Sequence, residues 1–300
     1  MNPAASIIVF TSLSGTGFGL MFWLGLGFPH VTGWTAFWYF TVAYGLAVVG
    51  LTASAFHLGN PQRALKAFTQ YRTSWLSREA WLSVMTLTVM AGAAYLAVFE
   101  DTVIPALGWV GAVLSLLTVF GTSMIYTQLK TVPRWNHWST PVVFLAYAIA
   151  GGAILTVTPA HLAIALLVIL GALQAIAWNI GAEAFQRRPT DLGTATGLGT
   201  RGSVRAFEPP HTGTNYLLKE MVYQVARRRA AQLRQLNIGL SVVIPIAFLL
   251  LAPDNIWVRG IALALHVAGV FASRWLFFAE AEHVVGLYYG RREPQASASR

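Results

Sequence analysis

The sequence predicts an all-α membrane protein with eight transmembrane helices and both termini in the cytoplasm. Of its 300 residues, 56% are hydrophobic and 10% are charged, whereas soluble domains carry about 25% charged residues. Eight long apolar stretches divide the chain, and the basic residues fall almost entirely in alternate gaps between them. The predicted spans are residues 6–28, 35–57, 80–99, 105–129, 140–157, 160–183, 237–252 and 256–280.

The length of these stretches favours helices that cross the bilayer. Most of them reach the roughly 20 residues that such a helix needs, although the fifth and seventh are short. Helices are expected because lipid offers no hydrogen-bond partners to the backbone. No Lys or Arg precedes the first stretch, so we expect a membrane span there and not a cleavable signal peptide. Small residues, such as Gly151 and Gly152, predict close contacts between helices.

The distribution of charge predicts the orientation. Arg259 and Arg274 are the only two of the 20 Lys and Arg residues outside the gaps at 58–79, 130–139 and 184–236 and the C-terminal tail. The positive-inside rule therefore places those gaps and both termini in the cytoplasm. This pattern also accounts for the net charge of +9 without nucleic-acid binding, for which no soluble basic domain is evident.

The chain is predicted to form a single membrane domain, residues 1–300, with one long cytoplasmic loop at 184–236. Residues 187–214 are rich in Gly, Thr and Pro and predict irregular structure. Asn215 is a candidate cap for a helix from Tyr216 to Gln235. This helix could lie on the membrane surface or face a soluble partner.

Few ionisable residues lie within or beside the spans, where such groups are costly and often functional. Five of them are expected at the cytoplasmic edge: His57, Glu79, Arg274, Glu280 and His283. A His and a carboxylate together can bind a quinone carbonyl and transfer its protons. The alternative is that these are interfacial residues paired with each other or with lipid headgroups.

Metal cofactors are not expected within this chain. Cysteine is absent, so the chain has no ligands of its own for an iron–sulfur cluster. His266 has no second His at its predicted depth, which argues against a haem held by two His. As a lone His within a span, it is expected to be a packed, hydrogen-bonded residue.

Several motifs resemble the membrane anchor subunits of the dimethyl sulfoxide reductase family. They begin with Asn2-Pro3-Ala4 and the segment Phe10 to Gly15. The resemblance continues through the segments His57 to Ala64, Ser74 to Glu79, Pro133 to Asn136 and Phe278 to Val285, and it covers essentially the whole chain.

The resemblance implies a metal-free subunit that binds a quinone, menaquinone or ubiquinone, within the membrane. Its implied partners are a four-cluster, ferredoxin-like iron–sulfur subunit and a molybdopterin catalytic subunit, together with membrane lipid. By motif, His57 and Glu79 match positions associated with quinol binding. Arg63 and Arg78 lie in the same motifs and could steer the quinone or the partner, and Glu280 and His283 belong to a further family motif.

The stretch 197–234 is more similar to the anchor of cytoplasmic sulfite dehydrogenase (sulfite:quinone oxidoreductase). The expected function is therefore electron transfer from partner iron–sulfur clusters to quinone during sulfite oxidation, in a bacterial inner membrane with partners on the cytoplasmic side. The alternative within the family is an anchor that oxidises menaquinol for a sulfoxide reductase. A purely structural anchor and a secondary transporter are further alternatives.

Overall fold

The protein is an all-helical bundle in the computed structural model, which describes residues 3–57, 60–184, 187, 191–208 and 229–289, except the side chains of residues 57, 61 and 289. Eight helical segments in these ranges are long and apolar enough to cross a membrane, which confirms the predicted number of spans. The first six are α1 (Ala5–Gly25), α2 (Gly33–Ala53), α3 (Trp75–Phe99), α4 (Pro105–Thr127), α5 (Ser139–Thr156) and α6 (Ala160–Glu183).

The long gap after α6 includes a short helix, α7 (Leu192–Thr196). The seventh span consists of α8 (Ala230–Ile238), a π-helical turn (Gly239–Val243) and α9 (Ile244–Leu251), and the eighth is α10 (Ile256–Ala279). The seventh span therefore begins at Ala230 and not at residue 237, because its first two turns are polar and carry no hydropathy signal.

Two short 3₁₀ helices lie between α2 and α3. Ser54–His57 continues directly from α2, and Pro61–Phe68 lies in the gap before α3. Helix α3 begins at Trp75, earlier than the predicted residue 80, because the charged residues of its first turn also adopt helical structure. Glu79 consequently lies inside α3, about 6 Å from its first residue at the helical rise of 1.5 Å.

The centre of the bundle is formed by α1 and α5, which are the most deeply buried spans. They contact each other through glycines, as the sequence predicts. A Cβ atom at Gly152 would overlap the backbone of Gly19 and lie 2.8 Å from the Leu20 nitrogen. Helix α1 also packs against α2, α4 and α10. Only residues without a side chain permit this close approach of two helices.

The two ends of the bundle differ in composition. One end, called the basic end below, carries residues 54–74, 128–138, the start of α8 and the segment after α10. The other, called the opposite end, carries residues 26–32, 100–104, 157–159 and 252–255. Eight crossings bring the start of α1 and the end of α10 to the same end.

The predicted irregular loop contains the short helix α7, which has an ordered N-terminal cap. Asp191 caps α7 through reciprocal hydrogen bonds: its Oδ1 accepts from the Thr194 nitrogen at 2.7 Å, and its own nitrogen donates to Thr194 Oγ1 at 2.9 Å. These bonds lower the pKa of the Asp191 carboxyl. The loop prediction for 191–208 was thus partly wrong, since this capping box was missed. Asn215 and most of the predicted helix after it lie outside the described residues.

Candidate functional site

Glu79 is a buried carboxyl group at the interface of α3 and α4. Its side chain is 4% exposed, and Oε1 accepts a hydrogen bond of 3.3 Å from the Thr122 hydroxyl. Gly121 makes room for it, because a Cβ at that position would lie 3.5 Å from the Glu79 Cα and Cβ atoms. An ionised carboxylate offers about four acceptor positions, so this one bond leaves capacity for another ligand.

The backbone of His57 ends the 3₁₀ turn that follows α2, at the basic end. Helix α2 packs against α3, so the segments that carry His57 and Glu79 lie at the same end of neighbouring helices. The side chain of His57 lies outside the described part of the chain, and its part with Glu79 in a quinone site remains a prediction.

The two predicted site arginines of these motifs have different surroundings. Arg63 is exposed in the 3₁₀ helix Pro61–Phe68. Arg78 donates hydrogen bonds to the Tyr71 carbonyl at 2.9 Å and the Arg72 carbonyl at 2.7 Å, and its guanidinium lies 4.5 Å from the Trp75 ring centroid. Arg78 therefore fastens the segment before α3 to the start of that helix.

Glu280 links three parts of the chain at the basic end. Its Oε2 pairs with Arg134 at 2.6 Å and its Oε1 with Arg234 at 2.7 Å. The Glu280 side chain is 8% exposed. Arg134 belongs to the segment between α4 and α5, and Arg234 to α8. The ion pairs therefore hold the end of α10 against both neighbours.

His283 lies three residues further on and is half-buried. Its Nδ1 accepts a hydrogen bond of 3.0 Å from the Val285 nitrogen. The structure thus divides the predicted site residues into two groups: Glu79 faces α4, whereas Glu280 and His283 belong to the segment after α10. Both groups lie at the basic end.

Arg274 stands between these two groups, although the sequence identified it only as an edge residue. It is 2% exposed, and its guanidinium carbon lies 3.5 Å from the Phe144 ring centroid and 5.4 Å from that of Tyr147. Its Nε has no hydrogen-bond partner among the described residues. A buried cation is costly unless it is paired or hydrated, so we expect Arg274 to need a partner or bound water in the interior.

Two cavities adjoin Arg274. The larger, about 50 Å³, lies between α5, α6 and α10, and reaches Arg134 and Glu280. The smaller, about 10 Å³, lies among α1, α4, α5 and α10, and is lined by Thr122, the hydrogen-bond partner of Glu79. The pattern of apolar residues gave no signal for either cavity, because each is assembled from helices distant in sequence.

His266 is a packed, hydrogen-bonded residue near the middle of α10, in agreement with the prediction. It is completely buried, and its Nδ1 lies 2.7 Å from the Ser241 carbonyl in the π-helical turn. The Nε2 atom is only 2.9 Å from where a Cβ at Gly151 would lie. Asn237 extends this network by bonding to the Tyr147 hydroxyl and the Gly269 carbonyl.

The sequence contains no cysteine and therefore offers no thiolate ligand to a metal. Within the described ranges, no three His, Asp or Glu side chains are grouped as metal ligands.

The fold and the site define a polytopic helical membrane protein whose buried carboxyl groups gather near one end of the bundle. The chain belongs to the family of DMSO reductase anchor subunits (DmsC), which it matches over residues 1–279. It is thus a membrane anchor subunit, as the motifs predict.

Two relatives refine this assignment. The chain is 30% identical to a subunit of the sulfite dehydrogenase of Allochromatium vinosum, over 96% of this chain and 99% of that protein. It is 32% identical to a subunit of the anaerobic dimethyl sulfoxide reductase of Escherichia coli K12, over 36% of this chain and 38% of that protein. No solved structure matches the chain. The similarity to the sulfite dehydrogenase subunit therefore spans the whole bundle, whereas the other covers a part.

Proposed function

We propose that this chain is the membrane anchor and quinone-reactive subunit of a molybdopterin oxidoreductase that oxidises sulfite. The observation that carries the proposal is the buried carboxyl of Glu79, which lies in a family motif and has acceptor capacity left. The full-length similarity to a sulfite dehydrogenase subunit supports the choice of substrate for the complex.

The proposed reaction is divided between subunits. Sulfite and water would give sulfate, two protons and two electrons on the molybdopterin subunit. The electrons would pass through the four-cluster iron–sulfur subunit, because a chain without cysteine supplies no thiolate ligands for such clusters. A quinone at the anchor then takes up two electrons and two protons and leaves as quinol.

The quinone head is assigned to the basic end, between the segments that carry His57 and Glu79. An imidazole and a carboxyl group can each hydrogen-bond a quinone oxygen and transfer a proton. Arg63 is exposed beside this position and suits steering of the quinone or contact with the partner. Arg78 would act through the backbone it fastens, at the carbonyls of Tyr71 and Arg72.

The basic end is also the proposed docking face for the iron–sulfur subunit. Electrons must reach the quinone over a short distance, so the partner has to cover the end at which Glu79 lies. By the positive-inside rule this end faces the cytoplasm, and the membrane is proposed to be a bacterial inner membrane. A reporter fused to the C-terminus tests this orientation, and activity of a periplasmic reporter would contradict it.

The function is tested in the purified complex by two parallel assays. One follows sulfite-dependent reduction of decylubiquinone or menadione, and the other follows reduction of a soluble dye that bypasses the anchor. Glu79→Gln and His57→Ala should each lower quinone-linked turnover by about 100-fold, the scale of a lost acid–base group. The dye-linked rate should be unchanged.

Glu100→Gln is the matched control, because Glu100 is an exposed carboxyl at the other end of the same helix. It should leave both rates at the wild-type level. Wild-type quinone turnover in Glu79→Gln would overturn the site assignment, and loss of both activities would indicate a structural role.

The part-length similarity to a dimethyl sulfoxide reductase subunit favours a second candidate, in which the anchor oxidises menaquinol and electrons flow outward to a sulfoxide. The same residues would then release protons. Turnover with dimethyl sulfoxide and reduced menaquinone, without sulfite-dependent reduction of quinone, would favour this candidate.

A further inference from the structure

We propose that Arg274 and the two cavities beside it form a hydrated route that carries protons between Glu280 and Glu79. The inference rests on the proposed quinone function, because quinone reduction at the anchor consumes two protons. It assigns roles to Arg274 and to the cavity lining that neither the family motifs nor the relatives' names provide. The route has three parts: the larger cavity, the Arg274 side chain and the smaller cavity.

The outer end of the route is the Glu280 carboxyl group. Arg134 and Arg234 pair with its two oxygens, and their side chains are 17% and 32% exposed. Glu280 is therefore close to the surface, yet its own side chain is 8% exposed. Because both Arg134 and Glu280 line the larger cavity, a proton arriving from the surface meets the carboxyl where the cavity begins.

The larger cavity can hold a chain of water molecules. Its volume is about 50 Å³, and one water needs roughly 10–15 Å³, so about three to five waters fit. The hydroxyls of Ser139, Thr140 and Ser273 and the amide of Gln174 line the wall. Polar groups of this kind provide the two to four partners that a buried water needs.

Arg274 marks the inner limit of this cavity. It lies about 8 Å from the end of α10, five residues before Ala279 at the helical rise. Its Nε has no described hydrogen-bond acceptor, and its guanidinium lies against the rings of Phe144 and Tyr147. Water in the adjoining cavity would supply the missing acceptors, since a desolvated guanidinium without them is costly.

The smaller cavity completes the connection to Glu79. Arg274 and Thr122 both line it, and the Thr122 hydroxyl donates to Glu79 Oε1. Its volume of about 10 Å³ suits about one water molecule. Thr11 and Ser14 add hydroxyls to the wall. The Arg274 side chain, which lines both cavities, thus joins the polar path from Glu280 to the one that leads to Glu79.

The charge of Arg274 fits a position between two carboxyl groups. A lone cation in a file of water repels protons, but here Glu280 lies toward one side and Glu79 toward the other. Tyr126 of α4 and Tyr147 of α5 also lie within electrostatic range of Arg274. The two carboxylates offset the barrier, so removal of either should slow proton transfer.

The route does not continue to the opposite end through the described residues. Beyond Tyr147 the polar network leads through Asn237 to Ser241 and His266. The next buried residues along α10, Ala262 and Leu263, are apolar. Protons would therefore be exchanged with the compartment at the basic end.

Gln174→Leu tests the route, because it removes polar lining from the larger cavity at nearly constant volume. In the purified complex, the quinone-linked kcat should fall by about tenfold or more, at the low end of what positioned proton transfer contributes. The KM for quinone and the dye-linked rate should not change. The ratio of kcat in H₂O to kcat in D₂O should rise, because proton delivery becomes rate-limiting.

Arg274 is tested with Arg274→Met and Arg274→Lys. The methionine variant should show the same loss with an increased isotope ratio, because it removes the donors that hold water between the two cavities. The lysine variant should recover part of the rate because it restores a donor for that water. Ser273→Ala, a smaller change in the same wall, provides a second test if a larger substitution prevents assembly. Gln128→Leu, at an exposed glutamine of the basic end, is the matched control and should behave as wild type.

Three outcomes would overturn the route: wild-type kcat in Gln174→Leu, a lower kcat without a higher isotope ratio, or equal losses in Arg274→Lys and Arg274→Met. Glu79→Gln measured in parallel separates this failure from that of the proposed function. If that variant retains full quinone turnover, the quinone site itself is misplaced. If it is impaired while Gln174→Leu is not, only the route is wrong.

Discussion

Two buried arginines on α10, Arg259 and Arg274, are each 2% exposed but have opposite surroundings. Arg259, at the opposite end, donates to the carbonyls of Pro253, Ile154 and Val157 at 2.5–3.1 Å. Arg274, toward the basic end, contacts aromatic rings and cavities. The same type of side chain on the same helix thus lies in two different environments.

The difference lies in the acceptors that each guanidinium meets. At the end of α5, the last carbonyls have no partner within the helix, and a cation there is favoured by the helix dipole. Arg259 satisfies those carbonyls and ties α5 to α10. Among the described residues, Arg274 contacts the rings of Phe144 and Tyr147 in place of such carbonyls, and we attribute its position to the proposed proton route.

The largest effect on stability is expected from Arg259→Met. This change removes three charge-assisted hydrogen bonds and leaves the carbonyls of Ile154 and Val157 unsatisfied. At about 1–3 kcal/mol for each buried group, these two carbonyls should cost about 2–6 kcal/mol. The midpoint of thermal unfolding, measured in detergent on the purified complex, should drop by several degrees. Quinone-linked turnover per folded complex should remain at the wild-type level.

Arg259→Lys is the control for charge alone. Lysine retains the positive charge but donates from a single nitrogen. The stability of this variant should therefore fall between those of the wild type and Arg259→Met. A stable Arg259→Met protein with poor quinone turnover would contradict the structural role given to Arg259 and its contrast with Arg274.

A smaller loss is expected from Glu280→Gln, which weakens the ion pairs to Arg134 and Arg234. Charge-assisted bonds in a partly buried position should account for about 1–3 kcal/mol. The quinone-linked kcat should also fall, by about tenfold, because the outer proton acceptor is lost. Both effects can be measured in one preparation by thermal unfolding and turnover.

Glu183→Gln is the matched control, since Glu183 forms an exposed ion pair with Arg187. Exposed pairs contribute about 0–1 kcal/mol, so stability and turnover should hardly change. Equal losses in the two variants would mean that the pairing at Glu280 has no special role.

The fold was largely predictable from the sequence because a span imposes a minimum apolar length. All eight spans were located, and the errors fall at helix ends whose residues are polar and were therefore not recognised as helical. Glu79 and Arg78 are helical despite their charge, and α8 begins before its apolar part. The short α7 was missed because its signal is a local capping box within a stretch rich in glycine.

The site was less predictable, since motifs identify residues but not their neighbours. Glu79 and Glu280 were candidates from their position at the edge of the spans and from the resemblance, whereas Thr122, Arg134 and Arg234 were not identified as their partners. Those contacts join helices up to 146 residues apart in sequence. Arg274 was visible as a charge within a span, but its lack of an acceptor is a property of packing, which no local pattern encodes.

The smallest effect is expected from His266→Asn, which extends the comparison to the middle of α10. An asparagine amide can donate to the Ser241 carbonyl in place of Nδ1, although the lost ring volume should cost about 1–2 kcal/mol. If His266 only packs, the quinone-linked kcat should stay within about twofold of wild type, with an unchanged H₂O/D₂O ratio. A tenfold loss of turnover in a stably folded variant would instead mean that the proton route branches through Asn237 to the middle of the bilayer.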